Sequence, residues 1–282
     1  MTWTYLNDSF ILKKKVTISP FDRGFLFGDS IYEVIPVYDR TPFLLEKHLN
    51  RLEDNLKKIS IKINYQRPQL VGIICELIER NLWKDQYVYI QITRGVELTR
   101  NHLPSGKTEP TIFIFSSELN INPYRNNSEH PGLKVSTCED LRWERCDIKT
   151  TSLIPNVLAM IDSYHKGYQE VLMHKEGKLT ESGAGSIFLV VGGKIIVPIL
   201  QRNILNGITR SHVITLLERL GLKLEERDVA LEELFLAREV WFTSSTKEIQ
   251  PISFINDHHI ISNTKELIWP AVLDAYVRSI RI

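Results

Sequence analysis

Two short stretches of this sequence hold residues that could do chemistry together. The first is Arg145-Cys-Asp-Ile-Lys-Thr-Thr-Ser152, which sets Lys149 at the end of a polar run, just ahead of an apolar, helix-like segment. A lysine amine that is partly desolvated or charge-coupled can be neutral near pH 7, and a neutral amine adds to a carbonyl to form a Schiff base. The second is Leu179-Thr-Glu-Ser-Gly-Ala-Gly-Ser186, where Glu181 precedes Gly183 and Gly185. Glycines let a backbone approach a ligand closely. A carboxylate beside a pyridine nitrogen keeps that nitrogen protonated, and the ring then draws electrons from a carbanion at a substrate α-carbon. Taken singly, Lys149 reads as a solvated surface lysine and Glu181 as a helix-cap or turn residue. Taken together they read as an anchor and a tuning acid.

Three further groups fit around that pair. In Leu205-Asn-Gly-Ile-Thr-Arg210, Gly207 gives a turn and a helix follows at once. The free N–H groups and dipole of a helix N-terminus bind phosphate, although plain capping by Thr209 explains this stretch alone equally well. Ser244 and Ser245, at the end of a strand-like run, add hydroxyl and amide donors, and Arg51 would add a bidentate fork. The loop Glu97-Leu-Thr-Arg-Asn-His-Leu-Pro104 carries Arg100 and His102, which with Tyr32 could form a carboxylate trap.

The elements that must position these residues follow from periodicity. Residues 3–20 read as two strands, with Asn7-Asp8 as the turn and Val16-Thr17-Ile18 as a β-branched run. Ile31 to Val37 alternates as a strand, and Asp39-Arg40 is a hairpin turn. Leu45, Leu49, Leu52, Leu56 and Ile59 form one face of a helix, with Arg51 well round from it. Pro68 opens a second helix to about Arg80. Tyr87 to Thr93 and Thr111 to Ser116 are strands joined by a polar loop. Further strands are expected over 133–139, Glu170 to His174, Ile187 to Val191, Lys194 to Val197 and Val240 to Thr243, with helices over Pro155 to Tyr168 and Ser211 to Leu220. Asn, Pro and charged residues crowd between Ser117 and Gly132. The expected organisation is an N-terminal α/β domain over 1–118, a linker over 119–132 and a C-terminal α/β domain over 133–282 that carries Lys149. Strands and helices do not alternate strictly, so the fold class is mixed α/β (α+β) rather than a doubly wound parallel sheet.

Composition removes other classes. Lys plus Arg is 35 against 34 for Asp plus Glu, a formal charge of +1, which gives no footing for nucleic acid or an anionic membrane as a partner. No apolar run approaches the ~20 residues that span a bilayer, and the N-terminus lacks the pattern of a signal peptide. Cys75, Cys138 and Cys146 are too few and scattered for a disulfide framework or a zinc site. A reducing, cytoplasmic location is expected, with Cys146 a small buried residue rather than a nucleophile. No metal is expected.

The order of these motifs closely resembles the fold-type IV pyridoxal-phosphate aminotransferases. The resemblance runs through Phe21-Asp-Arg-Gly-Phe-Leu-Phe-Gly-Asp-Ser-Ile-Tyr-Glu-Val34, His48-Leu-Asn-Arg-Leu52, Arg145 to Lys149, Leu179 to Ser182, Gly207 to Arg210 and Thr243-Ser-Ser-Thr246. Within that family the chain looks most like the bacterial D-amino acid aminotransferases. Two departures stand out: the loop from Arg94 to Arg100 is one residue longer, and Ser-Gly-Ala-Gly-Ser replaces a more serine-rich run after Glu181.

The resemblance implies a two-domain fold and pyridoxal 5′-phosphate as cofactor. It makes Lys149 the Schiff-base lysine and the base that moves the α-proton, and Glu181 the partner of the pyridine nitrogen. Arg51, the amides of Ile208 and Thr209, and Ser245 would hold the phosphate, with Leu205 against the ring. Tyr32, Arg100 and His102 would bind the substrate carboxylate. A homodimer is implied, the Arg-x-His loop serving the neighbouring subunit's site. The expected activity moves amino groups from D-amino acids to 2-oxo acids such as 2-oxoglutarate or pyruvate. Branched-chain L-aminotransferase, R-selective amine transaminase and aminodeoxychorismate lyase are the rivals inside the family. A catalytically silent pyridoxal-phosphate-binding protein is the rival outside it.

Overall fold

The structure, a computed structural model, describes residues 1–125, 131–260 and 267–280. Of the linker expected over 119–132, residues 126–130 lie outside the described residues. The chain divides into two compact units, one formed by Met1–Asn120 with Ile148–Ser152 and the other by Ile121–Asp147 with Leu153–Ile282.

The first unit is built on strands β1 (Trp3–Leu6), β2 (Ser9–Leu12), β3 (Ser30–Tyr38), β4 (Thr41–Pro42), β5 (Gln86–Thr93) and β6 (Ile112–Glu118). They form one six-stranded antiparallel sheet in the order β2-β1-β6-β5-β3-β4. Its helices are α1 (Arg23–Phe27), α2 (Leu45–Lys58) and α3 (Arg67–Arg80). The α2 stripe of Leu49, Leu52 and Leu56 is buried in one core with Ile31, Ile35 and Val37 of β3 and Val88, Ile90 and Ile92 of β5. Each such side chain contributes about 1.5–3 kcal/mol when fully buried. The opposite face of β3, β5 and β6 is an aromatic ladder, in which Tyr32 stacks on Tyr89 at 5.6 Å and Tyr89 on Phe115 at 4.9 Å.

Three results depart from the reading of the sequence. Val16-Thr17-Ile18 is not a strand, because the hairpin ends in a 3-10 turn of three exposed lysines, Lys13–Lys15. The helix expected from Ser211 begins earlier, at Ile208. Lys149, expected in the C-terminal domain, packs with the first unit. Ile148 is 5% exposed and belongs to the core of the first sheet, Tyr32 N–H donates to the Lys149 carbonyl at 3.0 Å, and Ile31 bridges Thr150. An apolar anchor and strand pairing together outweigh proximity in sequence.

The second unit holds β7 (Leu133–Glu139), α4 (Ile154–His165), β8 (Glu170–Lys175), β9 (Lys178–Ser182), β10 (Ser186–Val191), β11 (Lys194–Pro198), α5 (Ile208–Arg219), β12 (Leu224–Arg227), β13 (Glu239–Ser244), β14 (Glu248–Ile255), β15 (His258–His259) and α6 (Trp269–Ile280). The nine-stranded sheet runs β12-β11-β10-β13-β14-β7-β8-β9, with β15 on β14. The pairs β11/β12, β14/β7 and β7/β8 are parallel. Gly192 and Gly193, at φ 56° and 75°, close the β10–β11 hairpin as their left-handed conformations require. Ile187, Leu189, Val240 and Phe242 line its core.

Candidate active site

In the first unit, Lys149 is half-buried on the segment paired beside β3, and its Nζ lies 4.1 Å from the centre of the Tyr32 ring. The sheet therefore brings these two residues together at the end of the aromatic ladder. Burial, and then the neighbouring Tyr32, push the Tyr89 hydroxyl up to about 12, so that hydroxyl stays neutral in the ladder.

Arg51 is not the solvated residue that its place on α2 suggests. Its Nε donates to Glu33 Oε1 at 2.6 Å and its Nη2 to Glu33 Oε2 at 2.9 Å. Glu33 is 0% exposed and also accepts from His48 Nδ1 at 2.8 Å. Burial alone would raise the Glu33 carboxyl, but Arg51 and His48 hold it far below the usual carboxylate range. Burial lowers His48, so the imidazole is neutral at pH 7 and its Nδ1 carries the donated proton. The result is a guanidinium locked in one orientation by a buried carboxylate.

The strand β3 explains why this arises. Its period of two puts Glu33 on the same face as Ile31, Ile35 and Val37, all buried. A carboxylate there needs a cation and hydrogen bonds, and His48 and Arg51, three residues apart on α2, supply both. The sequence carries that signal, a glutamate at a core position of a strand, although Arg51 alone reads as solvated.

Arg100 and His102 are exposed on the loop between β5 and β6. Both lie against Phe27, the Arg100 guanidinium 5.0 Å and the His102 ring 5.5 Å from its centre. Among the described residues no hydrogen bond or ring contact joins either of them to Tyr32, so the three residues of the expected carboxylate trap do not meet within this unit. The loop is pinned at its start by Gly95, whose φ of 104° suits only glycine and where a Cβ would run into the Glu109 carbonyl.

In the second unit, Glu181 lies buried on β9. Its Oε2 accepts from Arg142 Nη1 at 2.6 Å, and the Leu205 N–H donates to the same carboxylate. Burial pushes its carboxyl up, and Arg142 and Leu205 oppose that rise. Arg142 is the residue that sequence reasoning missed. It grips Asp140 in a fork at 2.9 and 2.7 Å and donates to the Asn203 carbonyl at 3.2 Å. Asp140 also accepts from the Arg142 backbone N–H at 3.1 Å and from Thr180 Oγ1 at 2.7 Å, next to Glu181 on β9. In sequence, Arg142 sits in the charged run Glu139 to Arg145, which reads as a solvated surface.

The candidate phosphate cradle forms at the start of α5. Gly207 is the N-cap and has no side chain to cap with, so the first N–H groups, of Ile208 and Thr209, have no intrahelical acceptor. Both residues are buried. A Cβ on Gly207 would stand 3.0 Å from Ser186 Oγ, and Ser186 pairs with Thr243 of β13. The α5 N-terminus is thus set beside the strand that ends in Ser244. Gly185 lies so close to Thr243 that a Cβ would strike the Thr243 carbonyl, and the Thr243 Oγ1 is buried with no hydrogen-bond partner among the described residues. Ser244 and Ser245 are half-buried, and Ser244 Oγ accepts from Lys247 N–H at 3.2 Å. Open helix N–H groups, a glycine cap and an unanswered hydroxyl fit a phosphate and a ring held by a carboxylate.

Cys146 is buried, donates to the Trp143 carbonyl at 3.1 Å, and has its thiol pushed up to about 11 by burial, so it supplies no thiolate. Among the described residues no group of His, Cys, Asp and Glu could hold a metal ion. No helix among them is long and apolar enough to cross a membrane.

Known proteins share both the sequence and the fold. The chain is 32% identical over 251 residues to the D-alanine aminotransferase of Listeria monocytogenes serotype 4b (strain F2365), covering 89% of this chain and 86% of the relative. Among solved structures, the branched-chain aminotransferase of the archaeon Thermoproteus uzoniensis with norvaline superposes with a TM-score of 0.89 at 22% identity, over 99% of this chain and 95% of that one. The branched-chain amino acid aminotransferase of Escherichia coli gives 0.89 at 19% identity, over 98% and 94%. These likenesses carry the mixed, two-domain fold of the fold-type IV aminotransferases. Residues 30–255 match the family model for amino-transferase class IV, a span that takes in Lys149, Glu181 and the α5 cradle, and the chain therefore belongs to the class IV aminotransferases, enzymes that work with pyridoxal 5′-phosphate.

Proposed function

We propose that this aminotransferase takes its amino group from D-amino acids of the alanine type and passes it to 2-oxo acids such as pyruvate or 2-oxoglutarate. The observation that carries the reading is the Arg100/His102 pair, two donors for one carboxylate held against the same Phe27 ring. The D-alanine aminotransferase relative supports it.

The cofactor, when bound, supplies an electron sink for the pair left at the substrate α-carbon. The chain's own residues do the rest. Lys149 Nζ, 4.1 Å from the Tyr32 ring centre, would anchor the cofactor and then carry the α-proton. Glu181, steadied by Arg142, holds a proton on the pyridine nitrogen. Arg51, oriented by Glu33, and on the second unit the Ile208 and Thr209 N–H groups with Ser244 and Ser245, would hold the phosphate. Leu205, whose N–H is tied to Glu181, would pack on the ring. Tyr32, Arg100 and His102 hold the carboxylate, which orients the substrate and decides which hand it accepts.

We further read the protein as a homodimer in which the Arg100/His102 loop serves the partner's site. Two facts support this: the loop does not meet Tyr32 within one chain, and Ile154, Val157, Leu158, Ile161 and Tyr164 leave an exposed apolar stripe on α4. A stripe of that kind marks an association surface.

The fold likeness to branched-chain enzymes supports an L-specific rival. An amine transaminase would need no carboxylate trap, and a lyase would release pyruvate without an acceptor. One panel separates these readings: D- and L-alanine and branched-chain amino acids against pyruvate and 2-oxoglutarate. Transamination of the D-isomers is expected, and turnover of the L-isomers alone sinks the proposal.

A further inference from the structure

The carboxylate-binding pair stands on a loop, and loops fix geometry only when something holds them. Arg23 does so here. It is a buried arginine, its side chain 4% exposed, at the start of α1, whose N-cap Asp22 accepts from Gly24 N–H at 2.7 Å. Its Nη1 donates to the Asn101 carbonyl at 2.6 Å and its Nη2 to the His102 carbonyl at 2.8 Å. The same guanidinium reaches Glu97 Oε2 from Nη1 at 2.9 Å and Asp29 Oδ2 from Nε at 2.9 Å. It also lies 4.8 Å from the centre of the Phe27 ring, the ring that Arg100 and His102 touch.

The charges around it are balanced. Asp29 is shared with Arg94, whose Nε and Nη2 bind it at 2.7 and 2.9 Å. Burial alone would raise the Asp29 carboxyl, but Arg94 and Arg23 hold it below the usual range. Glu97 turns its second oxygen to the Ser105 N–H at 2.6 Å, at the far end of the loop. Two carboxylates thus fix Arg23, and Arg23 fixes two consecutive backbone carbonyls next to Arg100.

We propose that Arg23 is a positioning residue for substrate-carboxylate recognition: it sets the Asn101–His102 backbone and, through Phe27, the directions of the Arg100 and His102 side chains. A planar fork is needed because the acceptors lie on different elements, and a lysine, a single point charge, cannot serve them together. The inference rests on the reading of Arg100 and His102 as carboxylate ligands. Arg23 itself touches no substrate.

The test measures KM for D-alanine and pyruvate, kcat, and cofactor absorbance in the holoenzyme. Arg23→Gln is expected to raise both KM values about tenfold or more, with kcat within about threefold and absorbance unchanged. Arg23→Lys is expected to recover little of that loss. In an Arg100→Ala/His102→Ala background, Arg23→Gln is expected to add less than about twofold, because all three act as one unit. Phe27→Leu, which keeps Arg23, is expected to raise KM in the same selective way and serves if Arg23→Gln does not fold. An unchanged KM in Arg23→Gln, or in Phe27→Leu if that is the variant that folds, beside a raised KM in Arg100→Ala removes the role of Arg23 and spares the carboxylate reading. A full multiplicative loss in the triple variant, or an equal fall in kcat and cofactor content, also overturns it. An unchanged KM in Arg100→Ala overturns the carboxylate reading and this inference with it.

Discussion

Replacing Arg142 by methionine tests the electrostatics of the Glu181 half of the site. Met keeps the length and apolar stem of the side chain and removes the charge. Arg142 is 10% exposed, and its partners Asp140 and Glu181 are 3% and 7% exposed. Removing one member of such a buried network costs about 3–5 kcal/mol when the remaining charges stay uncompensated. Here the carboxylates can take up protons instead, so the loss at neutral pH falls at or below the lower end of that range. The kinetic effect is separate. Burial already raises the Glu181 carboxyl and Arg142 opposes the rise, so the variant raises it further and protonates Glu181 at higher pH. A neutral Glu181 no longer holds a proton on the ring nitrogen. A charge-assisted hydrogen bond is worth about 1.5–3 kcal/mol, which corresponds to a rate loss of roughly 10- to 150-fold near pH 7. The sign with pH follows: the acid limb of the half-reaction rate moves upward, activity recovers as pH rises, and the loss in Tm shrinks as pH falls. Stopped-flow absorbance of the first half-reaction across pH 5.5 to 9, with parallel thermal melts, reads all three. A variant with the parent's rate and an unmoved acid limb refutes this account of Arg142.

Lys149→Ala is expected to abolish turnover, and borohydride reduction of the parent followed by peptide mapping should place the cofactor on Lys149 and no other lysine. Glu33→Gln removes the buried carboxylate that orients Arg51, and is expected to cost about 2–4 kcal/mol in urea unfolding and to loosen the cofactor; parent-like stability and cofactor retention count against the buried clamp. Gly95→Ala combines a φ of 104° with a collision at the Glu109 carbonyl, so a lowered Tm of several degrees is expected from melting curves. Asp29, Glu33 and Asp140 all have folded-state carboxyls held below the usual range, the bonds from arginine overcoming the cost of burial. Their stabilisation is complete above the ordinary carboxylate pKa of about 4 and is lost as pH falls below it; a stability flat from pH 5 to 3 contradicts this.

How much could be read in advance depended on whether a residue's role was local. Most helices and hairpins came from period and turn chemistry, as with the α2 stripe and Gly192-Gly193. Strands β9, β12 and β14 did not, because none alternates cleanly between a buried and an exposed face: β9 is buried from Leu179 through Ser182, β12 carries the charged run Glu225-Glu226-Arg227, and β14 is interrupted by Pro251. Lys149, Glu181 and Gly207 stood out as candidates because several motifs stood in one order. Arg142 and Arg23 did not, since a charged run and a short loop look solvated until the fold closes around them.

The Arg51 cluster of the first unit and the Glu181 cluster of the second share a design. Arg51 is fixed by buried Glu33, and Glu181 is fixed by Arg142, itself fixed by Asp140. In each case the residue expected to face the cofactor spends part of its hydrogen-bonding capacity on a buried partner of opposite charge. That cost in flexibility is useful, because preorganised charges need no reorientation when the substrate arrives. It also predicts asymmetry between variants. Conservative changes at the supporting residues, Glu33→Asp or Asp140→Asn, should leave the cofactor-facing groups present but misdirected, so rates fall more than cofactor affinity does. Measured side by side, a proportional fall in both would show that these partners stabilise the fold without orienting the site.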